Sequence, residues 1–141
     1  MRTDLDEIVS ARLRAAGQRY TDGRRTLVAR LRSGPLTIPE LLEGSSLPQS
    51  SAYRNLAVLE HAGVVHRIVT TGDFARYELA EDLTEHHHHL ICSACGQVED
   101  FTAPPALERS LDRVLSDVAE ANGFSPEHHR LDLVGTCRSC S

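Results

Sequence analysis

The chain has 141 residues, 40% of them hydrophobic, 4% aromatic and none of them Trp, with a formal net charge of −5. That length allows one ordinary domain or two small ones, and a half of about 60 residues with this composition lacks the apolar volume to stand alone, so it calls for a metal, disulfides or a partner subunit. The acidic total argues against a polyanionic partner, but residues 1–79 carry 11 Arg against 9 acidic residues, whereas residues 80–141 carry 4 Arg against 11.

Seven of the Arg fall between Arg12 and Arg32, a density that suits phosphate contact if the helices there share a face. No segment approaches the roughly 20 apolar residues that span a bilayer, and Asp4, Asp6 and Glu7 do not fit a signal-peptide pattern. The chain is therefore expected to be soluble and cytoplasmic, without a membrane partner.

In chain order, Leu5, Ile8, Val9, Leu13 and Ala16 recur at helical spacing and stop at Gly17. Thr26, Leu27, Val28 and Leu31 begin a second helix that stops at Gly34-Pro35. Thr37-Ile-Pro-Glu40 has the capping-box pattern, with Pro39 tolerated in the first turn, and a short helix through Leu41 and Leu42 follows. A stronger helix is expected from Pro48 to Ala62, burying Tyr53, Leu56, Ala57 and Leu59, with Gly63 closing it. Alternating strands over Val64 to Val69 and Phe74 to Leu79, joined by Thr70 to Asp73, complete the helix, helix, hairpin order of a winged helix-turn-helix. Residues 1–79 thus read as a DNA-binding domain. Its helix 48–62 would enter the major groove, with Gln49, Ser50, Ser51 and Arg54 near the exposed N-terminal half.

Residues 80–85 read as a hinge, and residues 86–141 as a small α/β domain, so the fold class is α+β. Strands at His87 to Ile91 and Gln97 to Phe101 flank Cys92-Ser-Ala-Cys95-Gly96. Pro104-Pro105 open a long helix that ends near Asn122-Gly123, and Arg130 to Val134 form a final strand. Cys92 and Cys95 pair with Cys137 and Cys140 as two C-x2-C motifs separated by 41 residues. Four thiolates so spaced close a tetrahedral site with no open position, the structural zinc pattern, and a reducing cytosol favours metal over disulfides. Such a site supplies roughly 10–16 kcal/mol of apparent binding energy, which answers the shortage of core.

His86-His-His-His89 is internal and leads directly into Cys92, unlike an expression tag. In an extended segment His86 and His88 serve one side and His87 and His89 the other, so one tetrad can build two metal sites. Glu108 and His129 are candidate partners for the first pair. His66, Glu78, Glu81 and Asp82 are candidates for the second, which would then draw on both domains and fix their relative orientation.

Thr21-Asp-Gly-Arg24, Ser51-Ala-Tyr-Arg-Asn-Leu56, His86-His-His-His-Leu-Ile-Cys92, Cys95-Gly96 and His129 eight residues before Cys137 together resemble the ferric uptake regulator family over nearly the whole chain. The resemblance is strongest to its zinc uptake regulator branch. It implies a homodimer, joined through the C-terminal domains, that binds a palindromic, usually A/T-rich operator and represses when metal is bound. It implies base and phosphate contacts from Tyr53 and Arg54 and a phosphate contact from Arg24, with Arg19 and Tyr20 beside them. By the same resemblance, Cys92, Cys95, Cys137 and Cys140 hold structural zinc, and His86, His88, Glu108 and His129 form a site within the dimerisation domain. His87 and His89 belong to the interdomain sensing site, with Glu78 as its acidic ligand.

The chain also departs from the family pattern. Iron and peroxide sensors usually take a His from the segment before the recognition helix, and residues 34–44 contain none. His66 and Ala80 stand where zinc sensors often place an Asp and a Cys, while Asp100 stands where peroxide sensors place an Asp ligand. The hinge and the long helix are also longer here. A nitrogen-rich set including His66 favours zinc as the sensed ion over Fe2+ or Mn2+. Peroxide or iron sensing is the alternative within the family. A zinc store or scaffold without operator specificity, or a zinc hydrolase, are alternatives of other classes, and a winged helix would have no purpose in an enzyme.

Overall fold

A computed structural model describes residues 2–70 and 75–141. Most of the expected wing turn, and Phe74 at the start of the second wing strand, lie outside the described residues. The N-terminal half runs α1 (Arg2–Ala15), α2 (Asp22–Leu31), β1 (Leu36–Thr37), α3 (Ile38–Leu42), α4 (Gln49–His61), β2 (Val65–Ile68) and β3 (Arg76–Leu79). A 3-10 turn at Glu81–Leu83 leads to β4 (His88–Cys92), β5 (Val98–Phe101), α5 (Pro105–Ala121) and β6 (Asp132–Gly135).

Local chemistry fixes the helix starts and stops. Thr21 caps α2 by accepting the Arg24 N–H, and Thr37 and Glu40 form the full capping box of α3. Gly63, with φ of 77°, takes the left-handed step that ends α4. The helices and the wing enclose one core containing Val9, Leu13, Leu27, Leu41, Leu56, Leu59 and Val64, all fully buried. Each such side chain contributes about 1.5–3 kcal/mol through burial.

The buried stripe of α4 is Ala52, Leu56 and Leu59, whereas Tyr53 is 46% exposed and Ala57 is also exposed. This corrects the expected face by one residue: Ala52 at i, with Leu56 at i+4 and Leu59 at i+7, meets the core, and Tyr53 turns outward.

β1, β3 and β2 form one antiparallel sheet in that order, with His66 opposite Glu78 and Ile68 opposite Arg76. These four residues share one face of the wing, because cross-strand partners and alternate residues point the same way. The two-residue β1, which pairs with β3, was not expected from the sequence.

The second sheet has the order β5, β4, β6, with β4 antiparallel to β5 and parallel to β6. Its buried apolar side chains Ile91 and Val98 cluster with Ile68 of the wing. Leu107, Val114, Leu115 and Val118 of α5 and Leu133 and Val134 of β6 are exposed. The spacing of the α5 residues puts them on one side of the helix.

Candidate metal centres and nucleic-acid interface

The parallel pairing of β4 with β6 sets Cys92 opposite Gly135 and so brings the two C-x2-C motifs together. Gly96, with φ of 77°, turns the chain tightly after Cys95. Ligand atoms of Cys92, Cys95, Cys137 and Cys140 all lie within 4.8 Å of one another, and the Cys95 and Cys137 sulfurs are 3.9 Å apart. A tetrahedron with Zn–S bonds of about 2.3 Å has edges of about 3.8 Å, so the sulfur spacing fits zinc and is far too long for a disulfide. Cys92 Sγ accepts the N–H groups of Cys137 at 3.3 Å and Cys95 at 3.4 Å. Those donors lower its thiol to about 6, which suits a thiolate ligand.

Two histidine groups flank this knuckle. In the first, ligand atoms of His86, His88, Glu108 and His129 lie within 4.8 Å of one another. His86 Nε2 is 3.2 Å from His129 Nε2 and 3.2 Å from Glu108 Oε2, while His88 Nε2 is 2.5 Å from Glu108 Oε1. Two imidazole nitrogens facing each other at this distance match the edge of about 3.3 Å expected for Zn–N bonds of about 2.0 Å. His88 is buried, and its Nδ1 has no hydrogen-bond partner among the described residues.

In the second group, Glu78, His87, His89 and Asp100 place ligand atoms within 4.8 Å. Glu78 Oε2 lies 3.0 Å from both His87 Nε2 and His89 Nε2, and Asp100 oxygens lie 3.6 Å from His89 Nε2 and 3.9 Å from His87 Nε2. Burial works to raise the Glu78 carboxyl, but hydrogen bonds from His89 and His87 outweigh it and hold the group below its usual value. The other ring nitrogens are anchored: His87 Nδ1 lies 2.7 Å from the Glu85 carbonyl and His89 Nδ1 3.2 Å from Asp132. Such anchoring leaves Nε2 free to bind a cation.

His66 does not join this group. Its Nε2 accepts from Arg130 at 2.9 Å, and burial, with Arg130 beside it, pushes the imidazole pKa down. Asp100 stands in the group instead, because the β4–β5 register sets it opposite His89. The set is two imidazoles and two carboxylates, more oxygen-rich than the nitrogen-rich set that included His66. Glu81 Oε1 faces His86 Nδ1 at 2.6 Å and Asp82 faces Arg12, so neither turns into the Glu78 group. Both line, with His66, His87 and His89, a cleft of about 880 Å³ between the halves.

Toward its N-terminal end α4 exposes Gln49, Ser50, Tyr53 and Arg54, with Ser51 half-buried. Its first turn has no side-chain cap, so the N–H groups there remain open to an anion. Arg24 donates to Asn55 of α4 at 3.0 Å and to the Arg19 carbonyl at 2.8 Å, tying α2 to the helix it packs against. Tyr20 gives its hydroxyl to Asp6 at 2.9 Å and its ring lies under Arg25, while Arg19 is exposed. Asn55, Asp132 and Arg130 carry no local signal in the sequence, because their roles depend on packing between segments far apart in the chain.

A winged helix joined to a half that gathers metal-ligating side chains defines a metal-responsive DNA-binding protein. The profile described as "Ferric uptake regulator family" matches residues 15–134, and the chain belongs to that family of metal-dependent DNA-binding transcriptional regulators, which are not enzymes. It is 33% identical over 106 residues to the peroxide operon regulator of Bacillus subtilis (strain 168), covering 74% of this chain and 68% of that protein. The crystal structure of the Vibrio cholerae ferric uptake regulator is 26% identical, with a TM-score of 0.69, covering 89% of this chain and 96% of that one. The Helicobacter pylori ferric uptake regulator shares the fold, with a TM-score of 0.76 at 24% identity over 99% of this chain and 93% of that one. No helix among the described residues is long and apolar enough to cross a membrane.

Proposed function

We propose that the chain is a cytoplasmic, homodimeric repressor that binds a palindromic operator when Glu78, His87, His89 and Asp100 hold a divalent ion, with zinc as the ion sensed. The observation that carries this reading is the convergence of donors from both halves: Glu78 comes from the wing, and the other three come from β4, β5 and the approach to β4. The bound cation would supply positive charge shared by all four donors. Glu78 would thereby be held against the second sheet, fixing the wing and α4 relative to the dimer, with residues 80–85 acting as the hinge between domains 1–79 and 86–141.

Magnitudes separate the sites. Moving a two-state hinge from 1:99 to 99:1 takes about 5.5 kcal/mol of differential binding, well below the roughly 10–16 kcal/mol of a folded-in thiolate zinc. The cysteines therefore serve as the permanent staple and the Glu78 group as the reversible switch. The exposed face of α5, with Leu133 and Val134, supports dimerisation through the second half. Two copies of α4 related by a twofold axis suit a palindrome, with Tyr53 and Arg54 reaching bases and phosphates, Gln49, Ser50 and Ser51 at the helix start, and Arg19, Tyr20 and Arg24 toward the backbone.

Zinc is favoured by a four-donor set with tetrahedral spacing and by the absence of a His in residues 34–44 to add a fifth ligand. A second reading, iron or manganese with a peroxide response, is favoured by Asp100 and by the similarity to a peroxide operon regulator. The test is retention on duplexes selected from a random pool, titrated with Zn2+, Fe2+ and Mn2+. Retention should appear at the lowest free concentration with Zn2+ and disappear in His87→Ala/His89→Ala, which stays a folded dimer. Retention with Fe2+ that ends, after peroxide, in oxidised His87 or His89 would instead establish the second reading. Metal uptake without sequence preference would reduce the protein to a zinc store.

A further inference from the structure

The switch described above uses the Glu78 group and leaves the His86, His88, Glu108 and His129 group with no connection to the DNA-reading half. The hinge supplies one. Glu81 Oε1 lies 2.6 Å from His86 Nδ1 and accepts the His87 backbone N–H at 3.4 Å. His86 Nε2 is thereby left facing Glu108 and His129. Asp82, next in the same 3-10 turn, is held through both carboxylate oxygens by Arg12 of α1. The same guanidinium donates to the Gly63 carbonyl, just past the end of α4, at 2.8 Å. Contacts thus run without a gap from His86 through Glu81, Asp82 and Arg12 to the end of the recognition helix, bypassing Glu78.

The turn at the centre of this path is weak by itself. Its own backbone bonds are Leu83 N–H to Ala80 and Thr84 N–H to Glu81, and 3-10 turns of three residues have poor hydrogen-bond geometry. Its position therefore depends on what grips its two carboxylates. A carboxylate accepting from His Nδ1–H fixes the tautomer, orients the ring and makes Nε2 a better ligand, so the bond and ligation at Nε2 reinforce each other. Asp82 is 65% exposed, so its pair with Arg12 adds little to stability. It acts as an aligner of the turn against α1 and Gly63.

We propose that Glu81 and Asp82 form a relay: when His86, His88, Glu108 and His129 hold a divalent ion, Glu81 is fixed on His86, the Glu81–Leu83 turn is ordered, and Asp82 and Arg12 immobilise the end of α4. The inference rests on the metal-dependent reading above but concerns different ligands.

The test uses full-length His87→Ala/His89→Ala protein with its thiolate zinc in place, so that added Zn2+ meets only the remaining histidine group. Calorimetric titration counts the zinc bound, and amide hydrogen exchange is followed in residues 80–84 and 60–65. One further zinc per chain should bind, and exchange should slow at least about fivefold in both segments, the low end of site-to-site coupling. Adding Glu81→Ala should abolish the slowing in both; adding Asp82→Ala should keep it in 80–84 and lose it in 60–65. Zinc binding with no change in 60–65, or the same change despite Glu81→Ala, would overturn the relay and leave the Glu78 switch standing. No zinc binding would overturn both the relay and this ligand group, again without touching the dependence of operator binding on His87 and His89.

Discussion

The two halves of the molecule are held together by different physics. The winged half encloses a continuous core from Val9 to Leu79, with Leu13, Leu27, Leu41, Leu56 and Leu59 among the side chains fully out of water. The second half clusters its buried Ile91 and Val98 with Ile68 of the wing, and it exposes most of the apolar side of α5. What it has instead is three groups of converging donors, two of them wholly its own. A half that gathers metal-ligating side chains in place of a core is suited to respond to metal supply, whereas a half held by packing is suited to keep its shape against DNA.

That contrast can be broken at four places. The largest effect is expected from Cys137→Ser, which removes a ligand from a site worth roughly 10–16 kcal/mol. Hydrogen exchange should then report β4, β5 and β6 unprotected while α2 and α4 keep their protection; a second sheet that stays protected would mean packing, not zinc, holds it. Leu56→Ala creates a cavity in the winged core and should cost about 2–5 kcal/mol in thermal unfolding, with zinc per chain unchanged. Loss of zinc in that variant would show that the halves do not fold independently. Val118→Glu places a charge on the exposed α5 face and should weaken dimerisation at least about tenfold by sedimentation, with both sheets intact; an unchanged dimer would move the interface elsewhere. Smallest is Gly63→Ala, which puts a Cβ on a residue with φ of 77° and should cost about 1 kcal/mol. A neutral result there would indicate that the end of α4 relaxes freely.

The sequence carried the parts of this arrangement that depend on local spacing. The two C-x2-C motifs, the alternation that separates His86 and His88 from His87 and His89, and the capping box at Thr37 each follow from a few neighbouring residues. The exchange of His66 for Asp100 could not be read that way. His66 shares the wing face with Glu78, but Arg130 arrives from beyond α5 and engages its ring, while Asp100 reaches the group only through the β4–β5 register. The outward turn of Tyr53 was hidden because Ala52, a small residue with a weak hydropathy signal, is the one that packs against the core. Likewise β1 is two residues long and exists only by pairing with β3, some forty residues on in sequence.

In the proposed switch, occupancy of the Glu78 group sets the arrangement of the two winged halves and hence operator affinity. The most direct measurement is small-angle scattering and operator titration on one preparation before and after a mild chelator removes the labile ion, with thiolate zinc verified by metal analysis. An altered scattering profile and a fall in affinity of at least about a hundredfold are expected, a modest part of the 10⁴-fold that a complete two-state shift requires. An unchanged profile together with unchanged affinity would contradict the switch.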